Sequence, residues 1–280
     1  MTRAPRDQAG PGALLADETW LLTGAAGRVG RSLRPALAAR VGRLRLLDVE
    51  DVVAEHPSEE AVVADLRDQE AVEVAVAGAD GVLHLGGIAD EADFHDLAEV
   101  NIVGTFHVLE AARRAASRRV VFASSNRTTG FYPTSTRVAT DTPPRPDGLY
   151  GVSKVACEAL GRLYCDKFGL QVANLRIGSF EQAPQDERHL STWLSPADCE
   201  AAFLAAMTAP GLTYATFYAV SRNARGWWDL TAGEALGFEP RDDAERYAVD
   251  VGAGVATAPG APQGGAFAEP AYTLDRQRRA

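Results

Sequence analysis

From Thr19 onward the chain alternates short apolar runs with amphipathic segments. The runs at 20–23, 44–47, 61–64, 81–85, 120–123 and 172–175 have the length and composition of buried strands. Segments beginning near Arg28, Asp68, Ala92 and Leu149 carry the apolar spacing of helices. Each parallel crossover needs an intervening element, so strand and helix in alternation predict a doubly wound α/β domain with a parallel sheet covered on both faces. After about Gly178 the alternation loosens, and 196–207, 226–236 and 241–249 read as helices and loops of a smaller cap, with a Gly/Ala/Pro loop at 252–265. Residues 1–17 are rich in Gly, Pro, Ala and charge without periodicity, and are expected to be a mobile tail. The expected organisation is therefore tail 1–17, sheet domain 18–177 and cap 178–280, with no internal repeat.

Composition narrows the class. At 280 residues, 46% of them hydrophobic, the chain is long enough for a substantial core. Cys157, Cys165 and Cys199 are few and odd in number. The first two are eight residues apart on one expected helix, about 12 Å and too far for a disulfide, so reduced thiols are expected. No apolar run reaches the roughly 20 residues of a membrane span, and the opening MTRAPRDQAGPG lacks the hydrophobic stretch of a signal peptide. A cytoplasmic protein is expected. The net charge of −10 argues against nucleic acid or an anionic membrane as the main partner, since phosphate backbones favour clustered Lys and Arg.

The first strand runs straight into Thr23-Gly24-Ala25-Ala26-Gly27-Arg28-Val29-Gly30, which opens the first helix. Glycines there permit a tight turn and close approach of backbone to a pyrophosphate, whose charge meets amides at a helix N-terminus. The fold expectation becomes a Rossmann-type doubly wound parallel sheet, with Gly24, Gly27, Arg28, Val29 and Gly30 around the pyrophosphate. Asp48, eighteen residues after Gly30, ends the second strand. An acidic side chain there accepts hydrogen bonds from ribose hydroxyls and repels a 2′-phosphate, which favours NAD over NADP. Asp65 and Leu66 follow the third strand as candidate adenine contacts.

Tyr150 and Lys154 begin the long helix near Leu149, four residues apart and hence on one face. An ammonium favours the phenolate of a tyrosine whose reference pKa is about 10, so Tyr150 is a candidate base. Ser125 lies twenty-five residues upstream at the end of the fifth strand, where its hydroxyl can polarise a substrate oxygen. The glycine turn, the strand-end serine and the YxxxK pair resemble the extended short-chain dehydrogenases. LHLGGIA (83–89), VVFASSN (120–126), RPDGLYGVSK (145–154), LRIGSF (175–180), RHLSTWLS (188–195), GWWD (226–229) and QGGAF (263–267) are similar to the bacterial uronate dehydrogenases.

The resemblance runs from about residue 20 almost to the C-terminus, and implies NAD-dependent oxidation of the C1 hydroxyl of cyclic glucuronate or galacturonate to the aldarolactone. It implies Tyr150 as base, Lys154 on the nicotinamide ribose and Ser125 on the reacting oxygen, with Leu85, Gly86 and Gly87 beside the cofactor. Asn126, Ser179, Arg188 and Phe267 would line the sugar in the C-terminal, substrate-binding lobe, and a homo-oligomer is expected. A guanidinium at Arg188 also suits bidentate binding of a carboxylate.

Two positions depart from the family pattern. Ser124-Ser125-Asn126-Arg127 stands where those enzymes read SSNH, and Gly86-Gly87-Ile88-Ala89 where they read GGxS. Both Arg127 and Ala89 are expected to touch substrate, with Arg127 offering a second cation to an acidic sugar, filling space used by a hydroxyl, or turning away to solvent or a carboxylate. The rival readings are a nucleotide-sugar epimerase or dehydratase and a non-catalytic NAD-sensing regulator on the same fold. His56, His84, His95, His107 and His189 show no metal spacing. Trp227 and Trp228 read as packing, the pairs Arg113-Arg114 and Arg118-Arg119 as solvated charge, and Arg276, Arg278 and Arg279 as a frayed end.

Overall fold

The apolar runs become neighbouring strands of one sheet in the computed structural model, which describes residues 15–252 and 260–277. The strands are β1 (Thr19–Thr23), β2 (Arg43–Asp48), β3 (Glu59–Val63), β4 (Gly81–His84), β5 (Arg119–Ser125), β6 (Gln171–Ile177), the short pair β7 (Ser179–Phe180) and β8 (Trp193–Leu194), and β9 (Tyr214–Ala219). Seven of them form a parallel sheet in the order β3-β2-β1-β4-β5-β6-β9. The order reverses between β1 and β4, and a crevice opens at the C-terminal ends of the strands there.

The helices are α1 (Arg28–Ala38), α2 (Gln69–Val76), α3 (Phe94–Leu97), α4 (Gly104–Arg114), α5 (Leu149–Phe168), α6 (His189–Thr192), α7 (Pro196–Thr208), α8 (Thr231–Glu234) and α9 (Pro270–Leu274). Side chains alternate across a strand, so Trp20 and Leu22 enter one core while Leu21 enters the other. The first core packs against Leu33 and Leu37 of α1 and Phe203 and Met207 of α7. The second packs against Val72 and Val76 of α2, Val108 of α4 and Tyr164 of α5. Burial on both faces is why β1, β4, β5 and β6 read as nearly unbroken apolar runs. Among the described residues no helix is long and apolar enough to cross a membrane.

Four expectations need correction. The chain does not leave the sheet at residue 178, because α7 covers it beside α1 and β9 extends it as a seventh strand in register with β6. The cap is thus confined to excursions from the sheet. The expected tail ends earlier than residue 17, since Leu15 is buried in the first core and its carbonyl accepts the N–H groups of Glu18 and Gly42. Residues 1–14 lie outside the described residues.

Arg119 is not solvated. It donates to the carbonyls of Ala206, Met207 and Ala209 at 2.8, 2.6 and 2.8 Å, placing a cation at the negative end of α7. Burial pushes this guanidinium down to about 10. Arg276 is not frayed, because it bonds the Tyr272 carbonyl and lies 3.7 Å from that ring's centre. Arg278, Arg279 and residues 253–259 of the expected Gly/Ala/Pro loop lie outside the described residues.

Candidate active site

β1 ends at Thr23, and the chain reverses at Gly24, whose φ of +71° is open to glycine but strained for other residues. A Cβ there would fall 2.7 Å from the backbone nitrogen of Gly86, so only glycine lets the loops after β1 and β4 meet. Thr23 Oγ1 accepts the Gly86 N–H at 2.9 Å and lies 2.8 Å from His84 Nδ1. His84 Nε2 is 3.0 Å from Thr105 Oγ1. Burial first, and the Lys154 ammonium second, push His84 down to about 3, so the ring stays neutral within this hydrogen-bonded chain.

The first turn of α1 has no side-chain cap, which leaves its amides as donors toward the crevice. Asp48 accepts backbone N–H groups from Ala26 at 2.8 Å and Glu50 at 3.2 Å, holding its carboxylate at the rim. A cavity of about 560 Å³ is lined by Gly24, Gly27, Arg28, Val29, Gly30, Asp48, Asp65, Leu66, Leu85, Gly86 and Gly87. Asp65 is paired with Arg67 at 2.6 Å, and that hydrogen bond holds its carboxyl below the usual range. Uncapped helix amides, the glycine turn and a carboxylate ending the next strand are the donors and acceptors a dinucleotide requires, so these residues fit one.

A second cavity of about 550 Å³ shares Arg28, Val29, Leu85, Gly87, Ile88 and Ala89 with the first, making one groove along the sheet edge. Ser125, Asn126, Arg127, Tyr150, Lys154, Ser179, Arg188 and Phe267 all line it. The fold thus brings every site residue expected from the sequence to the same groove. Lys154 donates to the Ala123 carbonyl at 2.9 Å, with its ammonium 5.6 Å from the centre of the Tyr150 ring. Ser125 Oγ accepts the Arg127 N–H at 3.2 Å. Arg28 pairs with Glu181 across the mouth, joining the glycine turn to the loop after β7.

Arg188 and Arg127 differ in how their charge is met. Arg188 Nε donates to the Gln263 carbonyl at 2.8 Å and Nη1 to Ser179 Oγ at 3.3 Å, and Phe267 lies 5.3 Å from the guanidinium. No carboxylate among the described residues lies within ion-pairing distance of it, and burial pushes it down to about 10. Arg127 is buried and engages three carboxylates: Nε to Asp147 at 2.8 Å, Nη1 to Asp90 at 2.9 Å and Nη2 to Glu91 at 3.3 Å.

Several groups that build the groove escaped the sequence reading. Asn101, in a π-helical segment spanning Ala98–Val103, bonds both backbone groups of Ile88 and reaches Ser153, fixing the loop after β4. Glu91 and Asp147 carried no sequence signal beyond lying near the expected starts of two helices. Trp227 and Trp228 do not line the groove; Trp228 stacks on Tyr218 at 5.1 Å and donates to Gln263.

Comparison with known proteins places these features in context. The NAD dependent epimerase/dehydratase family matches residues 20–198. A uronate dehydrogenase from Agrobacterium fabrum is 44% identical over 227 residues, 81% of this chain and 86% of that protein. One from Pseudomonas putida is 40% identical over 253 residues, covering 89% and 94%. Among solved structures, a mutant uronate dehydrogenase from Agrobacterium tumefaciens complexed with NAD superposes with a TM-score of 0.85 at 42% identity, covering 90% of this chain and 97% of that one.

Proposed function

Because the chain belongs to the NAD dependent epimerase/dehydratase family and, within it, to the uronate dehydrogenases, we propose that it oxidises the C1 hydroxyl of a cyclic uronic acid to the aldarolactone with NAD⁺. The observation that carries this reading is Arg188, a half-buried guanidinium held by Gln263 and Ser179 with no carboxylate among the described residues within ion-pairing distance, lining the same groove as Tyr150. Asp147 and Asp186 act on this half-buried guanidinium only from beyond ion-pairing distance, and a substrate carboxylate would add the direct charge-assisted hydrogen bonds they do not make.

The roles follow from position. Arg188 and Ser179 hold the sugar's carboxylate end, with Phe267 against the ring. Ser125 donates to the C1 oxygen, and Tyr150 takes its proton. Lys154, fixed by the Ala123 carbonyl, offsets the charge of the phenolate. Gly24, Gly27 and the first-turn amides of α1 hold the pyrophosphate, and Asp48 holds the adenosine ribose. Bound NAD⁺ supplies the acceptor for the hydride that leaves C1. The resulting lactone carbonyl carries no proton on oxygen, which is why one base suffices.

A membrane-free, homo-oligomeric enzyme of the cytoplasm belongs to the same reading, and a monomer by light scattering at micromolar concentration would refute the assembly. The primary test incubates the purified protein with NAD⁺ and separate uronic acids, neutral aldoses and UDP-sugars while NADH absorbance is followed. Reduction with a uronic acid and a lactone product are expected. Turnover of UDP-sugars in preference to free uronic acids would overturn the proposal.

A further inference from the structure

Arg127 lines the groove, yet its geometry is that of a brace. Each of its three nitrogens points at a different carboxylate, and the partners lie on two other stretches of chain. Glu91, whose side chain is fully enclosed, accepts the Leu149 N–H at 2.8 Å and the Tyr150 N–H at 3.1 Å. These are the first two amides of α5, so Glu91 places an anion at the start of the helix that bears Tyr150. Asp147 stands just before that helix. Arg127 therefore holds the carboxylate that meets the first amides of α5 and a second carboxylate two residues before that helix.

The space for this brace exists because residue 148 has no side chain. A Cβ on Gly148 would lie 2.4 Å from Glu91 Oε2 and 2.9 Å from Arg127 Nη2. The same cluster also receives the C-terminal strap, residues 260–277. Tyr272 donates to Asp90 at 2.7 Å and Thr273 to Glu91 at 2.8 Å, while Phe267 lies 4.4 Å from the Arg127 guanidinium. Phe267 itself lines the groove. One cation thus lies between the start of the Tyr150 helix and the segment whose Phe267 lines the groove.

We propose that Arg127 is a positioning residue that couples seating of the C-terminal strap to the placement of Tyr150 through Glu91 and Asp147. This rests on the reading of Tyr150 as base. A direct grip on a substrate carboxylate would bring a fourth anion to a guanidinium whose charge three carboxylates already meet. With Arg127 removed, three carboxylates face one another without their shared cation, and Asp147 Oδ2 has no partner even now. Relief would come by shifting the strap or the helix start, and a small misplacement of a base is costly to turnover.

The test compares Arg127→Met, Arg127→Lys, Tyr272→Phe and the double variant Arg127→Met/Tyr272→Phe. For each, kcat and KM are measured with a uronic acid and with the matching neutral aldose, and NAD⁺ affinity by titration. Arg127→Met is expected to lower kcat by about tenfold to a hundredfold for both sugars, with KM and NAD⁺ affinity within about twofold. Arg127→Lys should recover part of kcat. Tyr272→Phe should lower kcat in the natural background and add little to Arg127→Met, the signature of coupling.

A rise in KM confined to the uronic acid with kcat preserved would make Arg127 a substrate contact and overturn the proposal. Effects of Arg127→Met and Tyr272→Phe that simply multiply would overturn it too. If Arg127→Met does not fold, Tyr272→Phe and Thr273→Val carry the test from the strap side, and unchanged kcat in both refutes the coupling. Near-normal turnover by Tyr150→Phe would instead remove Tyr150 as base, so the two failures are distinguishable.

Discussion

The carboxylate of Asp48 accepts the backbone N–H of Ala26 at 2.8 Å, which fastens the end of β2 to the glycine turn that follows β1. One residue thereby shapes the glycine turn, and on the proposed reading its other lone pairs would meet a ribose. Asp48→Ala should weaken NAD⁺ binding by about tenfold to a hundredfold, the worth of hydrogen bonds to a charged group. Repulsion of a 2′-phosphate disappears with it, so the preference for NAD⁺ over NADP⁺ in kcat/KM should narrow. An unchanged preference would exclude Asp48 from the ribose site.

Tyr150→Phe keeps the ring near Lys154 and removes only the phenol hydroxyl proposed as proton acceptor. Turnover should fall by about 10²- to 10⁴-fold, the usual worth of a positioned base, while NAD⁺ affinity stays within about twofold. Single-turnover NADH formation at saturating sugar measures the first and titration the second. Turnover near that of the natural protein would sink the assignment.

Arg188→Ala should raise KM for a uronic acid by about tenfold to a hundredfold and leave that for the matching neutral aldose nearly unchanged, because only the carboxylate makes the charge-assisted bond. Arg188→Lys should retain some of the discrimination but lose bidentate geometry. Arg188 also holds the Gln263 carbonyl, so a loss shared equally by both sugars would mean that its role is to seat the strap.

His84 gives the fold an acid limit. Its pKa is about 3 in the folded protein, below the reference of 6.5, because burial and the Lys154 ammonium oppose its charge. Between those values the unfolded chain binds the additional proton, so stability is lost as pH falls below about 6.5, at up to about 1.4 kcal/mol per pH unit. From pH 7.5 to 5.0, urea unfolding of the natural protein should lose about 2 kcal/mol more than that of His84→Gln, which cannot titrate. Equal losses would show that His84 is not the group responsible.

Legibility in the sequence followed how local each cause is. The inner strands β1, β4, β5 and β6 were readable because burial on both faces makes a strand almost wholly apolar, whereas β2 and the edge strand β3 showed only shorter apolar runs. β9 was missed because only Phe217, Tyr218 and Ala219 of its six residues are fully buried, leaving a mixed run at the sheet edge. Arg119 was misjudged because what buries it is the end of α7, almost ninety residues on. The glycine turn, Asp48, Ser125 and the Tyr150–Lys154 pair could be found because strand ends and four-residue spacing are properties of a continuous stretch of chain.

The sequence by itself determined a parallel α/β sheet, the strand ends that carry chemistry and the helix face shared by Tyr150 and Lys154, since period and spacing act within a few residues. The balance of charge in the groove was decided only by tertiary structure. Arg127 and Arg188 are the same residue type, both placed beyond the C-terminal ends of the strands. The first is neutralised by Asp90, Glu91 and Asp147, which lie 37, 36 and 20 residues away along the chain. The second meets no carboxylate among the described residues within ion-pairing distance. Whether a buried cation stays available to a ligand depends on which carboxylates folding brings within a few ångströms, because Coulomb attraction acts through space and is strong where water is excluded.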